Sequence, residues 1–158
     1  MPDAAERGDS LSANLYETDH VAWLEQQTHL LKTRQLHALD IDHLTEELEL
    51  EIGNERREMY RRLRILIGHL LKWQYQPDYR CASWAGTIRV QRKDLNKLLK
   101  DSPSLHRFVA PETQDAYTDA VELAGFETGL AESAFPAQCP YRIEELLDKE
   151  FWPEAFPS

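Results

Sequence analysis

Apolar residues recur along this chain with the period of a helix and nowhere with the alternation of a strand. The longest such run, Ile41 to Gln76, places Ile41, Leu44, Leu48, Ile52, Met59, Leu63, Leu66, Leu70 and Trp73 within about 40° of one direction at roughly 100° per residue. One long helix with a continuous apolar seam is predicted. In its last third Ile65, Leu66, Ile67, Gly68, Leu70 and Leu71 surround the axis, so this part should lie centrally in a bundle. Asp40-Ile41-Asp42 sets its start, where carboxylates meet the positive end of the helix dipole, and Pro77 ends it by disfavouring helical geometry in the residue before it. Gly53 and Gly68 predict a close crossing or a bend near one of them.

The flanking segments read the same way. Thr18 or Asp19 caps a first helix from about Asp19 to Arg34, with Val21, Leu24, Thr28 and Leu31 on one apolar face and Trp23 and Leu30 adjoining. A third helix runs from about Ser83 to Asp101, with Trp84, Ile88, Leu95, Leu98 and Leu99 inward and Arg89, Lys93, Lys97 and Lys100 outward. Ser102-Pro103 opens a short helix with Leu105, Phe108 and Val109, and Pro111-Glu112 repeats the start signal for a fourth long helix. That helix should fade between Gly125 and Gly129. Ile143, Leu146 and Leu147 supply a last short helix. The aromatic tail Phe151-Trp152-Pro153 to Phe156-Pro157 is expected to lie across the bundle surface or against another subunit. The expected fold is all-α, a single-domain helical bundle of four principal helices plus short accessory ones. Residues 1–15 are expected to form a loose tail, and residues 16–158 the helical domain.

Composition narrows the class of function. A length of 158 residues with 42% hydrophobic and 29% charged side chains suits one domain with its own core. No apolar stretch approaches the roughly 20 residues that cross a bilayer, and the N-terminus lacks the pattern of a secretion signal, so no membrane partner and a cytoplasmic location are expected. Cys81 and Cys139 stand outside any paired spacing, which supports neither a zinc site nor a disulfide framework. The net charge of −10 is unevenly spread, because residues 61–100 hold ten Arg or Lys against two Asp. Acidic helices beside basic ones would neutralise this block internally, and an acidic protein repels nucleic acid at long range, so nucleic acid is disfavoured as a partner.

Three constellations could carry chemistry. Glu47, Glu51, Glu58, Arg62 and His69 fall within about 60° of each other beside the seam, with Glu55 at the edge, as a polar column. Inward carboxylates and a histidine can build a metal site or an acid/base pair in a bundle. The same column reads more simply as a salt-bridge ladder, Glu58 and Arg62 being an i,i+4 pair, and the central helix has no Glu-x-x-His. His69 would need partners for both ring nitrogens if buried, whereas His43, near Glu46 and Glu47, is expected in a solvated helix cap. Arg89, Lys93, Lys97 and Lys100 form a basic row able to meet an acidic partner protein or RNA, although a solvated face partly paired with acidic neighbours is the ordinary reading. Trp73, Tyr75, Tyr79 and Trp84 could stack a planar ligand, although core packing around the turn at Pro77 is the ordinary reading. No phosphate-binding glycine loop or nucleophile elbow occurs, and no cofactor or metal is assigned.

Several blocks together carry a resemblance. They are Tyr16-Glu17-Thr18-Asp19 with Ala22-Trp23-Leu24, Glu46-Glu47-Leu48-Glu49, Glu55-Arg56-Arg57, His69 through Pro77, Ser83-Trp84 with Thr87-Ile88 and Gln91-Arg92, Asp101 to Leu105, Glu127 to Leu130, and Phe135-Pro136 with Cys139-Pro140. From Tyr16 onward the chain resembles the bacterial family catalogued as domain of unknown function 29. The resemblance implies a compact all-helical protein and brings no activity or catalytic residues with it. The position of His20 is more usually aromatic or apolar in that family. The expectation is a non-enzymatic cytoplasmic binding or interaction module, acting through a protein partner or self-association. The alternative is a metal-dependent or acid/base enzyme using Glu47, Glu51, Glu58 and His69.

Overall fold

A computed structural model describes residues 15–157, and among them every regular element is helical. The loose tail expected over residues 1–15 falls, except for Leu15, outside the described residues. The principal helices are α1 (His20–Lys32), α2 (Ile41–Tyr75), α3 (Ala82–Asp101) and α4 (His106–Thr128), followed by the short α5 (Ile143–Leu147). Short 3-10 turns at Leu36–Ala38, Pro77–Tyr79, Pro103–Leu105 and Glu132–Ala134 join them. The architecture is all-α with four long helices. It packs as two compact units, one ending at Gly53 and one beginning at Asn54, with α2 contributing to both.

In the first unit the Asp19 side chain caps α1 by accepting from the Ala22 amide at 3.0 Å. The buried edge of α1 is Trp23 and Gln27, and both are tied to the start of α2 through Asp40. Trp23 donates from Nε1 to the Asp40 carboxylate at 3.0 Å, and Gln27 Oε1 accepts from the Asp40 amide at 2.8 Å. This corrects the expected orientation of α1. Val21, Leu24, Thr28 and Leu31 face outward, because the indole and amide on the other edge find hydrogen-bond partners at the opening of α2.

The second unit holds the main core. Met59, Leu63, Leu66, Ile67, Leu70 and Leu71 of α2 are fully buried and meet Ile88, Leu95 and Leu99 of α3 and Val109, Ala116, Ala120 and Ala124 of α4 in one cluster. At Gly68 a Cβ would stand 2.9 Å from a Leu123 methyl and 3.4 Å from the Ala120 carbonyl, so the missing side chain permits a close crossing of α2 and α4. The seam does not remain a core along its whole length. Ile41, Leu48 and Ile52 are exposed, a second departure from the expected pattern.

The break expected at Pro111 is also absent. The Pro103–Leu105 turn leads directly into α4, which continues through Pro111 to Gly129, a left-handed C-cap with φ 74°. Pro111 and Arg107, whose carbonyl loses its amide partner, both lie on the solvent side where water can replace that bond. Val109, Glu112, Thr113 and Ala116 on the other side pack inward, and this packing outweighs the local preference to stop.

Candidate binding groove along the third helix

α3 presents two different cationic surfaces. Arg92 lies on the buried line of Ile88, Leu95 and Leu99, and its guanidinium donates to the carbonyls of Phe151 at 2.6 Å, Leu146 at 3.1 Å and Glu145 at 3.2 Å. It thereby fixes α5 and the segment after it against α3. Burial lowers the Arg92 pKa, because the charged form loses hydration, while the charge of Asp148 acts the other way. Asn96 adds a bond from Nδ2 to the Leu147 carbonyl at 2.9 Å.

The segment held in this way forms one wall of an open groove of about 670 Å3, and Arg89, Lys93 and Asn96 of α3 form the other. Trp152 also lines the groove. Its ring sits under the Arg89 guanidinium at 5.6 Å and against Trp73 at 4.7 Å, which gives the groove an aromatic floor beside two cations. Asp148, Lys149 and Glu150 complete the opposite wall. The rest of the tail lies across the end of α2, with Phe156 stacked on Tyr75 at 4.8 Å and its amide bonded to the Gln74 carbonyl at 2.8 Å.

The candidate basic row is therefore divided. Arg89 and Lys93 line the groove, whereas Lys97 pairs with Asp101 at 2.5 Å, which raises its pKa, and Lys100 is exposed at the far end of the helix. The four candidate aromatics do not form a common stack. Trp73 meets Trp152, Tyr75 meets Phe135 and Phe156, Trp84 lies 4.4 Å beneath the Lys72 ammonium, and Tyr79 is exposed.

The polar column on α2 resolves into separate pairs. Glu47 accepts from the Tyr16 hydroxyl at 2.8 Å and lies 3.5 Å from His20 Nε2, which holds the phenol protonated up to about 12. Glu51 is exposed, and Glu58 pairs with Arg61 and Arg62. Arg62 reaches onward to Asp94 at 3.1 Å and Gln91 at 3.3 Å on α3, so this ladder also joins two helices. His69 donates from Nδ1 to the Ile65 carbonyl at 2.9 Å, and its burial lowers its pKa. Glu58 and His69 stand about 16 Å apart along the helix axis at 1.5 Å per residue. Among the described residues no three His, Cys, Asp or Glu side chains gather as metal ligands do.

One polar cluster escaped the sequence reading. His43 is no solvated cap: it donates from Nδ1 to Asp40 at 2.7 Å and stacks on Tyr16 with centroids 3.9 Å apart, beside Trp23. The hydrogen bond to Asp40 raises the His43 pKa. The only sequence signal for it was the i,i+3 spacing of Asp40 and His43.

The family model for a domain of unknown function, DUF29, matches residues 15–152. The chain belongs to the DUF29 family. No curated protein and no solved structure matches it. In this DUF29 chain the matched span ends at Trp152 and contains Arg89, Arg92, Lys93 and the whole opposite wall, so both walls of the groove lie within the family domain.

Proposed function

We propose that this protein is a non-enzymatic interaction module whose groove along α3 receives an acidic segment of a protein partner. The observation that carries this reading is the convergence of Arg89 and Lys93 with Trp152 in one open groove. Neither cation has a carboxylate within ion-pair distance among the described residues, whereas Arg61, Arg62, Lys72 and Lys97 each have one. A carboxylate side chain entering there would gain charge-assisted hydrogen bonds, and the indole face would accept an apolar or aromatic neighbour. The Arg92 bonds hold the opposite wall in place beforehand, which reduces the entropy lost on binding.

The test is a peptide-array screen of acidic and aromatic-acidic segments, followed by titration of the best binder into the full chain. Arg89→Glu with Lys93→Glu should weaken binding by at least about tenfold, since each 1.4 kcal/mol is a factor of ten. Lys97→Glu, outside the groove, should have a much smaller effect. Equal losses in both variants would reduce the effect to general charge attraction and defeat the proposal.

A further inference from the structure

We infer that the outer face of the first unit is a docking surface for a basic amphipathic helix of a protein partner, independent of the groove on α3. The face is built from the two apolar stripes left outside the core. Val21, Leu24 and Leu31 on α1 and Ile41, Leu48 and Ile52 on α2 are each between 40% and 69% exposed. Their spacing of three, four and seven residues makes each stripe a ridge along its helix.

The two ridges lie on the same side of the helix pair. α1 and the start of α2 run antiparallel, because Trp23 meets Asp40 and His43 while Tyr16 meets Glu47. Measured from the edge that each helix buries against the other, the α1 stripe lies about 100° onward in the direction of the chain and the α2 stripe about 120° onward, at 100° per residue. Equal senses of rotation on antiparallel helices turn both stripes to one side. The same contacts set Leu24 beside Ile41, so the ridges overlap there and continue one another as a staggered apolar line that a third helix can cover.

Charge selects the occupant. Residues 15–53 carry nine Asp or Glu against two Lys or Arg. Glu17 just before α1, Glu25 on it, and Asp42 and Glu49 on α2 are exposed around the stripes, with Lys32 at one end. A second copy of this face would bring like charges together around its apolar centre, which costs association. A helix with an apolar stripe flanked by Lys or Arg satisfies both the ridges and their acidic border.

The experiment titrates the full chain with a labelled 18-residue helical peptide bearing leucines at coiled-coil spacing and lysines on either flank. Two control peptides replace the lysines by glutamates or scramble the order of the residues. The lysine-flanked peptide should bind at least about tenfold more tightly than either control, and Leu24→Gln with Leu48→Gln should weaken it about tenfold. Arg89→Gln with Lys93→Gln should leave this binding unchanged, which separates the surface from the groove on α3. Equal binding of the scrambled peptide, or no effect of the Leu24 and Leu48 changes, would overturn the inference. So would a concentration-dependent dimer, in the absence of peptide, that these changes abolish, because the occupant would then be a second copy. Loss of helical circular dichroism in the Leu24 and Leu48 variant would also overturn it, since exposed side chains do not hold a fold.

Discussion

Replacing Arg92 by methionine tests whether one buried cation builds the wall of the groove. The guanidinium is 1% exposed and satisfies three carbonyls, those of Glu145, Leu146 and Phe151. Methionine fills similar space and removes every donor. Each carbonyl left without a partner costs about 1–3 kcal/mol, whereas removing the guanidinium returns a desolvation penalty of several kcal/mol. Water can also reach part of the segment, since Asp148, Lys149 and Glu150 are exposed. The net loss should be about 3 kcal/mol, well short of the 5–15 kcal/mol that holds a domain of this kind together. The chain should therefore stay folded in water while its urea midpoint falls, and limited proteolysis should begin after Leu147 before the helices are cut. Arg92→Lys should lie between the two, because one ammonium cannot reach three carbonyls in a fixed fork. An Arg92→Met protein that loses under about 1 kcal/mol and keeps the segment protected would refute the assignment.

Three further outcomes are expected. Lys72, nearly buried between Glu127 and the Trp84 ring, should tolerate methionine with a loss of about 1 kcal/mol, while Glu127→Ala should cost about 2–3 kcal/mol by stranding the ammonium; chemical denaturation of both variants checks the order. Gly129→Ala should cost about 1 kcal/mol, read from the thermal midpoint, because a Cβ is strained at φ 74°. In an NMR titration His43 should ionise above its ordinary value of 6.5 and return toward it in Asp40→Asn. The raised His43 pKa gives a contribution that is complete below 6.5 and lost as the pH rises through the folded value, whereas the lowered Asp40 pKa gives one present above 3.8 and lost as the pH falls through its folded value. Amide exchange in α1 should therefore be slowest between these limits. His69 behaves oppositely to His43, its lowered pKa removing stability from the core as the pH falls below 6.5.

The limits of α2 were legible because they rest on local chemistry. Asp40 accepts from the helix start, and Pro77 stops the end, so an expected Ile41 to Gln76 became Ile41–Tyr75. The face of α1 was not legible. Its apolar period selects Val21, Leu24, Thr28 and Leu31, yet a tryptophan and a glutamine with partners in Asp40 decide which edge is buried, and no periodicity contains that information. The continuity of α4 through Pro111 depends likewise on what packs behind the proline. Arg92 left a fainter trace. Its neighbours Arg89 and Lys93 belong to the exposed row, but Arg92 falls four residues after Ile88 and three before Leu95, on the apolar line of α3. A cation on such a line needs buried acceptors, and here they come from a segment more than fifty residues further on.

The uneven charge of the chain takes on a specific form once the pairs are located. Much of the basic block is used internally: Arg61 and Arg62 meet Glu58, Arg62 also meets Asp94, Lys72 meets Glu127, Lys97 meets Asp101, and Arg92 and Arg80 bind carbonyls. The self-neutralisation expected from sequence therefore covers four of the ten cations, Arg61, Arg62, Lys72 and Lys97, and leaves Arg89 and Lys93, which line the groove, among those without a carboxylate partner in the described residues. The apolar seam shows the same selective surplus. From Met59 to Leu70 its residues fill the core, whereas Ile41, Leu48 and Ile52 continue the stripe into solvent with carboxylates beside them. Solvated helix faces are ordinarily polar, and single exposed apolar residues need no explanation. A stripe continued by a second one on α1, and bordered mainly by carboxylates, is a different case. The unpaired cations and the exposed stripes lie in separate units, and the partners proposed for them are of opposite charge, so each surface can be disabled without touching the other.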